Sequence, residues 1–293
     1  MTDLQLKLKN MQPKHKFLIA VDSDGCAFDT MEIKHKECFT PNTIKYWKLQ
    51  PISKYARQAA DFVNLYSKWR GTNRFPALVK VLDLLEEWDE VKARKVTIPK
   101  AKNLRYYIDT YSNYSNPSLK LEADKTGHED LNQAFAWSEA VNATISDMVH
   151  GVPPFPYVKA SLEKVSEFAD IIVCSATPNE ALEREWAEHG LAEYISVIGG
   201  QEMGSKQEIL ALVKDKYPKN HILMVGDAPG DKKAAHSNDI LFYPIVAGKE
   251  ANSWKDFLDT YSDVFTNNKY TKDIEEKLIE AFEDNLPEKP PWK

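Results

Sequence analysis

Short apolar runs that stop abruptly at polar residues restrict the fold of this chain more than any other feature. Phe17-Leu18-Ile19-Ala20-Val21 is broken by Asp22, and Ile171-Ile172-Val173-Cys174 is broken by Ser175. Runs at 194–198, 221–225 and 240–243 follow, each separated by a stretch with helical spacing. Unalternated runs of this length are strands buried on both faces, and strands alternating with helices make a parallel sheet covered by helices. The fold class predicted is therefore α/β, a doubly wound parallel sheet. Residues 30–150 break the rhythm. Their spacing is helical, clearest over 55–69, 76–88 and 129–149, and predicts a helical domain inserted into the α/β chain. Its far boundary is Gly151-Val152-Pro153-Pro154-Phe155-Pro156, where the prolines exclude regular structure and favour an extended connector and a hinge. The expected organisation is an α/β core made of 1–29 and 151–293, with a helical cap of 30–150. A helix is expected over 272–284, followed by a proline-rich tail.

Composition narrows the class further. Of 293 residues, 43% are hydrophobic and 28% charged, the balance of a globular protein and not of a disordered chain. No apolar run approaches the ~20 residues of a spanning helix. The lysine-rich start has no apolar stretch resembling a secretory signal, so a cytoplasmic location is expected and a membrane partner is not. Three cysteines without CxxC spacing support neither a disulfide framework nor a structural zinc site. A net charge of -6 argues against nucleic acid as the main partner, although 30–150 is mildly basic against an acidic remainder.

The residues at the strand ends carry the chemistry. In parallel α/β sheets, ligand sites lie just beyond the carboxyl ends of strands. The first run ends in Asp22-Ser23-Asp24-Gly25. One carboxylate there can attack phosphorus to give an acyl phosphate, while its neighbour two residues on protonates the leaving oxygen and later activates water. An ordinary Asp- and Gly-rich turn is the bland alternative. Gly226-Asp227-Ala228-Pro229-Gly230-Asp231 brings further acids to another strand end. Carboxylates so gathered raise one another's pKa, and a bound divalent cation relieves them. All-oxygen ligation suits Mg²⁺. At Ser175-Ala176-Thr177-Pro178-Asn179-Glu180, Thr177 fits an N-cap, leaving the Ser175 hydroxyl for an anionic oxygen. Ser205 and Glu208 have capping-box spacing, which sets Lys206 in the first turn of a helix. The helix dipole disfavours a cation there, so Lys206 is expected to face negative charge.

Taken in order, Asp22-Ser23-Asp24-Gly25, Ser175, Lys206 and Gly226-Asp227 with Asp231 resemble the four signature motifs of the haloacid dehalogenase superfamily. The resemblance covers about 15–29 and 155–250. It implies Asp22 as nucleophile and Asp24 as general acid/base, with Ser175 and Lys206 holding phosphoryl oxygens. It further implies Mg²⁺ as cofactor, held by Asp22, the backbone carbonyl of Asp24 and Asp227, with Asp231 as a ligand or as a group that orients the ligands. An acid at position 24 favours phosphate esters over haloacids, since an oxygen leaving group needs a proton. The insert between Asp24 and Ser175 is similar to a C1 cap, a helical domain that excludes water and selects the substrate. Departures from the family pattern are Cys26, the length of the insert, and Asn238-Asp239 before the fifth run.

Within the cap, Tyr66 to Phe75 joins two helical patterns, and Arg70 and Arg74 are candidate clamps for a carboxylate or second phosphate. Tyr46-Trp47, Tyr106-Tyr107 and Tyr111 read as packing residues, and Cys26 as a small filler. The expected activity is Mg²⁺-dependent hydrolysis of a small phosphorylated metabolite through an aspartyl-phosphate. The alternatives are a phosphomutase resembling the β-phosphoglucomutase branch and a non-catalytic metabolite-binding protein.

Overall fold

The computed structural model describes residues 1–111 and 114–293. It contains two compact units, Met1–Met31 with Gly151–Asn285 and Glu32–His150 with Leu286–Lys293.

The first unit is built on a five-stranded sheet: β1 (Phe17–Val21), β2 (Ala169–Cys174), β3 (Val197–Gly199), β4 (Ile222–Gly226) and β5 (Leu241–Pro244). The spatial order is β3-β2-β1-β4-β5 and every pairing is parallel. All residues of β1, β2, β4 and β5 are buried, as unalternated apolar runs require. The third strand starts later than the sequence implies. Ala192–Tyr194 closes a 3₁₀ turn through Ile195 N–H to Ala192 O at 3.1 Å, and the ladder to β2 begins only at Ile172 and Val197.

Aromatic residues fill the space between this sheet and its helices. Phe28 meets Trp186 edge-on at 5.5 Å, and the Trp254 indole donates to Cys26 O at 2.7 Å. The edge strand β5 is covered by the helix Lys272–Asp284, which appears where the sequence implies. Its buried Glu275 carboxylate accepts from Phe242 N at 2.7 Å and contacts His236 Nε2 at 2.9 Å, while the Tyr270 hydroxyl donates to Phe242 O at 2.8 Å. Backbone groups that would otherwise invite another strand are thereby satisfied.

The second unit is helical, with Ser53–Asn64, Arg74–Glu87, Lys102–Thr110, Asn116–Thr126 and Glu129–Met148 as its main helices. Asn73 and Ser115 cap two of them through their side chains, and Gly127, at φ 70°, ends the helix that Ser115 starts, in the left-handed conformation that glycine tolerates best. Trp47, Phe75, Tyr107 and Trp137 form the middle of its core, with the Trp137 indole donating to Thr43 Oγ1 at 3.1 Å. Trp47 and Tyr107 are thus packing residues, whereas Tyr106 lies on the surface. Among the described residues no helix is long and apolar enough to cross a membrane.

The tail Leu286–Lys293 groups with the helical unit and not with the α/β part, where the sequence had placed it. Trp292 stacks on Trp88 at 4.0 Å with 4° between the rings and meets Phe62 edge-on at 5.6 Å. Lys68 N donates to Pro287 O at 3.4 Å, and Lys68 and Lys293 pair with Glu288 and Glu87. A proline-rich segment has few amides to satisfy and can therefore lie against aromatic surface without a partner strand, a property that spacing along the tail does not reveal. Stacking outweighs exposed ion pairs in such a contact. Trp292→Ala is therefore expected to lower the stability of the helical unit by about 2 kcal/mol, and Lys293→Ala to leave it unchanged, both read by urea unfolding.

Candidate active site

The strand order fixes where a site can form. From β1 the chain proceeds to β2 and β3 on one side and then crosses to β4 and β5 on the other, so the topology switches between β1 and β4. The carboxyl ends of strands at such a switch open a crevice. Asp22 follows β1, Asp227 follows β4 and Ser175 follows β2. Asp22 N–H donates to Val225 O at 3.0 Å and locks the first two ends together. Gly25, at φ 75°, adopts the left-handed conformation in the turn that its amide closes onto Phe28 O at 2.8 Å.

Gly226 serves a different need. A Cβ placed there would lie 2.5 Å from both Cβ and Oδ2 of Asp231, so only glycine lets that side chain fold back. Asp231 Oδ2 then accepts from the amides of Asp227 at 3.1 Å and Ala228 at 3.0 Å, closing the start of the helix Pro229–His236. Its other oxygen faces the crevice cation, Lys206 Nζ, at 2.5 Å.

Lys206 opens the helix Lys206–Val213, and Ser205 and Glu208 form the capping box expected from the sequence. Its ammonium lies 2.6 Å from Asp22 Oδ2 as well as against Asp231. Burial disfavours the ammonium, but Asp22 and Asp231 outweigh it and hold the Lys206 pKa well above the usual lysine range. The unfavourable position at a helix N-terminus is thus offset by two carboxylates. Burial pushes Asp22 up, Lys206 pulls it down, and Asp231 and Asp227 push it up again, with a net rise. Asp22, Asp227 and Asp231 are 4%, 1% and 1% exposed, and one carboxylate oxygen from each lies within 4.8 Å of the others. Three carboxylates against one ammonium leave excess negative charge in an all-oxygen donor set, which matches a hard divalent cation in both charge and ligand type.

The Asp24 carboxylate stands apart from that cluster. Thr30 Oγ1 donates to its Oδ1 at 2.5 Å and Thr177 Oγ1 to its Oδ2 at 2.6 Å. Thr177 is therefore not the N-cap that its spacing implies. The helix begins at Asn179, whose amide is taken by the Glu202 carboxylate at 2.8 Å, and the Thr177 hydroxyl is spent on Asp24. Between the two acids, Ser23 N–H donates to Asp22 Oδ1 at 2.8 Å. The fully buried Ser23 hydroxyl donates to Glu185 Oε2 and accepts from the Trp186 indole, each at 3.0 Å. Thr30, Thr177 and the helix neighbours Glu185 and Trp186 are not singled out by the sequence as site residues, because they reach Asp24 and Ser23 from segments distant in the chain or from the far side of a helical turn. Only Thr177, close to Ser175 at a strand end, gave a local signal.

Ser175 is buried beside these groups; its amide donates to Gly199 O at 2.9 Å and its hydroxyl accepts from Thr177 N at 3.4 Å. Cys26 is a buried filler, its thiol 3.5 Å from Val225 O and pushed up by burial. In the helical unit, the two candidate arginines have internal partners. Arg74 Nη1 donates to Ser138 Oγ at 2.8 Å and Asn142 Oδ1 at 2.7 Å, and its guanidinium lies 5.0 Å from the Phe39 ring centre. Burial lowers its pKa to about 10. Arg70 is 3% exposed and donates to Leu65 O at 2.9 Å. Both guanidinium groups thus brace turns and helices of their own unit.

The crevice combines a carboxylate beside an ammonium, two acids able to share a cation, and a separately held carboxylate two residues along. That set can attack an electrophile, neutralise developing charge and move a proton. Lys206 carries much of the balance. Lys206→Met leaves Asp22 and Asp231 buried without their counter-charge and is expected to cost about 3 kcal/mol at neutral pH, measured by chemical denaturation.

A sequence profile described as haloacid dehalogenase-like hydrolase matches residues 91–245, more than half of the chain. No curated protein gives a significant sequence match. Solved structures do resemble this one. A candidate phosphoglycolate phosphatase of Lactobacillus delbrueckii subsp. bulgaricus is 13% identical, with 87% of this chain and 98% of that one covered at a TM-score of 0.48. A haloacid dehalogenase-like family hydrolase of Streptococcus pneumoniae is 14% identical, with coverage of 82% and 90% and a TM-score of 0.47. A candidate β-phosphoglucomutase of Thermotoga maritima is 17% identical, with coverage of 85% and 99% and a TM-score of 0.41.

Proposed function

This chain belongs to the haloacid dehalogenase-like hydrolases, and from that premise we propose that it is a Mg²⁺-dependent phosphatase of a small phosphorylated metabolite, working through an aspartyl-phosphate on Asp22. One observation carries the reading: Asp22 sits against Lys206 at 2.6 Å and within 4.8 Å of Asp227 and Asp231, with Asp24 held separately two residues on.

In this reading an Asp22 carboxylate oxygen attacks phosphorus and the bond from phosphorus to the alcohol oxygen breaks. Asp24 as the acid gives that oxygen its proton, so the alcohol leaves neutral. Asp24, now the base, takes a proton from water. The water oxygen attacks phosphorus, the acyl-phosphate bond breaks, and inorganic phosphate leaves with Asp22 restored. Lys206 steadies Asp22 and offsets negative charge on the equatorial oxygens, and the Ser175 hydroxyl is free to turn a donor toward one of them. Asp22, Asp227 and Asp231 would hold Mg²⁺ together with the Asp24 carbonyl. When bound, the cation supplies charge neutralisation for the phosphoryl group.

The test is phosphate release from a panel of phosphorylated sugars, nucleotides and small acids, with Mg²⁺ and with EDTA. Activity should require the metal and fall at least about 10³-fold in Asp22→Asn, with the variant still folded. Metal-dependent activity that survives Asp22→Asn would refute the nucleophile. Isomerised product without phosphate release would move the reading to a mutase, and inertness across the panel to a binding protein.

A further inference from the structure

We propose that Thr177 is a positioning residue for the reaction: its hydroxyl, acting with that of Thr30, aims the Asp24 carboxylate that serves as general acid and base. The inference rests on the phosphatase reading and extends it to a residue outside the acid set.

The hydroxyl has no structural job on its own helix. Pro178, at φ -56° and ψ 140°, is extended, and the first helical amide, Asn179 N, is capped by Glu202 and not by Thr177. What remains is the bond of 2.6 Å to Asp24 Oδ2. Hydrogen bonds to a carboxylate are short and about twice as strong as neutral ones, and a donor on each oxygen fixes the plane of the group as well as its position. The Thr30 donor, 2.5 Å from Oδ1, lies six residues after Asp24, whereas Thr177 arrives from the end of β2. The grip therefore spans two independent segments.

The Thr177 backbone is itself held, which a positioning group requires. Its carbonyl accepts from Gln201 N at 3.0 Å and its amide donates to Ser175 Oγ at 3.4 Å. Gly200 passes so close that a Cβ there would fall 2.5 Å from Thr177 O and 2.6 Å from Asn179 Oδ1. The loop carrying Thr177 is thus pinned to the end of β3, and its side chain presents one oxygen to Asp24 from a fixed base. Misplacement of a proton donor by about 1 Å can cost 10²-fold in rate, so the grip has leverage on turnover.

Two measurements on the full chain test this. The first is a folding cycle of Thr177→Val, Asp24→Asn and the double variant, read by urea unfolding without any substrate. A direct bond predicts a coupling of about tenfold in the unfolding constant, and no coupling overturns the grip. The second compares phenyl phosphate with 4-nitrophenyl phosphate in the presence of Mg²⁺. The nitrophenolate leaves without help from an acid, whereas phenolate depends on a proton. Thr177→Val should lower kcat on phenyl phosphate at least tenfold with KM within about threefold. It should spare the initial burst of 4-nitrophenol, and Thr177→Ser should recover most of the loss. Because the base step is common to both esters, the ester-cleaving step decides: a 4-nitrophenol burst slowed as much as phenyl phosphate cleavage, a change confined to KM, or failure of serine to rescue would overturn the positioning role. Wild-type protein inert toward both esters and toward the whole metabolite panel would instead refute the phosphatase reading, with the folding cycle still deciding whether Thr177 holds Asp24.

Discussion

The contact of Lys206 with Asp22 and Asp231 is the interaction on which the rest of the crevice depends. A parallel sheet brings strand ends together, and here those ends carry acids, so the fold concentrates negative charge where water is scarce. Without a cation at their centre these carboxylates would repel one another and take up protons. Lys206 supplies one positive charge from a neighbouring helix, at 2.6 Å and 2.5 Å. Its position in the first turn runs against the helix dipole, and the two carboxylates offset that cost. One ammonium does not balance three acids. The residual negative charge is what suits the crevice to a divalent cation.

Around this centre, each supporting group has a specific spatial reason. Gly226 leaves the space that Asp231 occupies, and the Asp231 carboxylate in turn holds the loop amides of Asp227 and Ala228. Ser23 ties the Asp22 carboxylate to the backbone and to Trp186 behind it. Asp24, only two residues from Asp22, belongs to a different set of contacts, the threonine hydroxyls of 30 and 177. Two adjacent acids thus receive different environments from one loop, which is the physical basis for giving them different tasks.

Much of this was legible in the sequence. Uninterrupted runs such as 17–21 and 171–174 announced doubly buried strands, and capping-box spacing placed Lys206 in the first turn of its helix. The acids at strand ends were identifiable because strand-end position and residue type coincide in the same few residues. What stayed hidden depends on contacts between distant segments. Thr177 had the spacing of a cap, yet Glu202, 23 residues beyond Asn179, takes the helix's first amide in its place. Arg70 and Arg74 had the composition of an anion clamp, but their partners Leu65, Ser138 and Asn142 lie on the same helical unit. The tail reads as a proline-rich end of the α/β part, and its spacing does not reveal that Trp292 packs on Trp88 and Phe62.

Covalent phosphorylation of Asp22 is tested by the intact mass of the protein acid-quenched during turnover of a phosphate ester with Mg²⁺. A mass increment of one phosphoryl group is expected, mapped by peptide digestion to the segment containing Asp22. Phosphate release with no such increment, or with the increment on a peptide lacking Asp22, would contradict it.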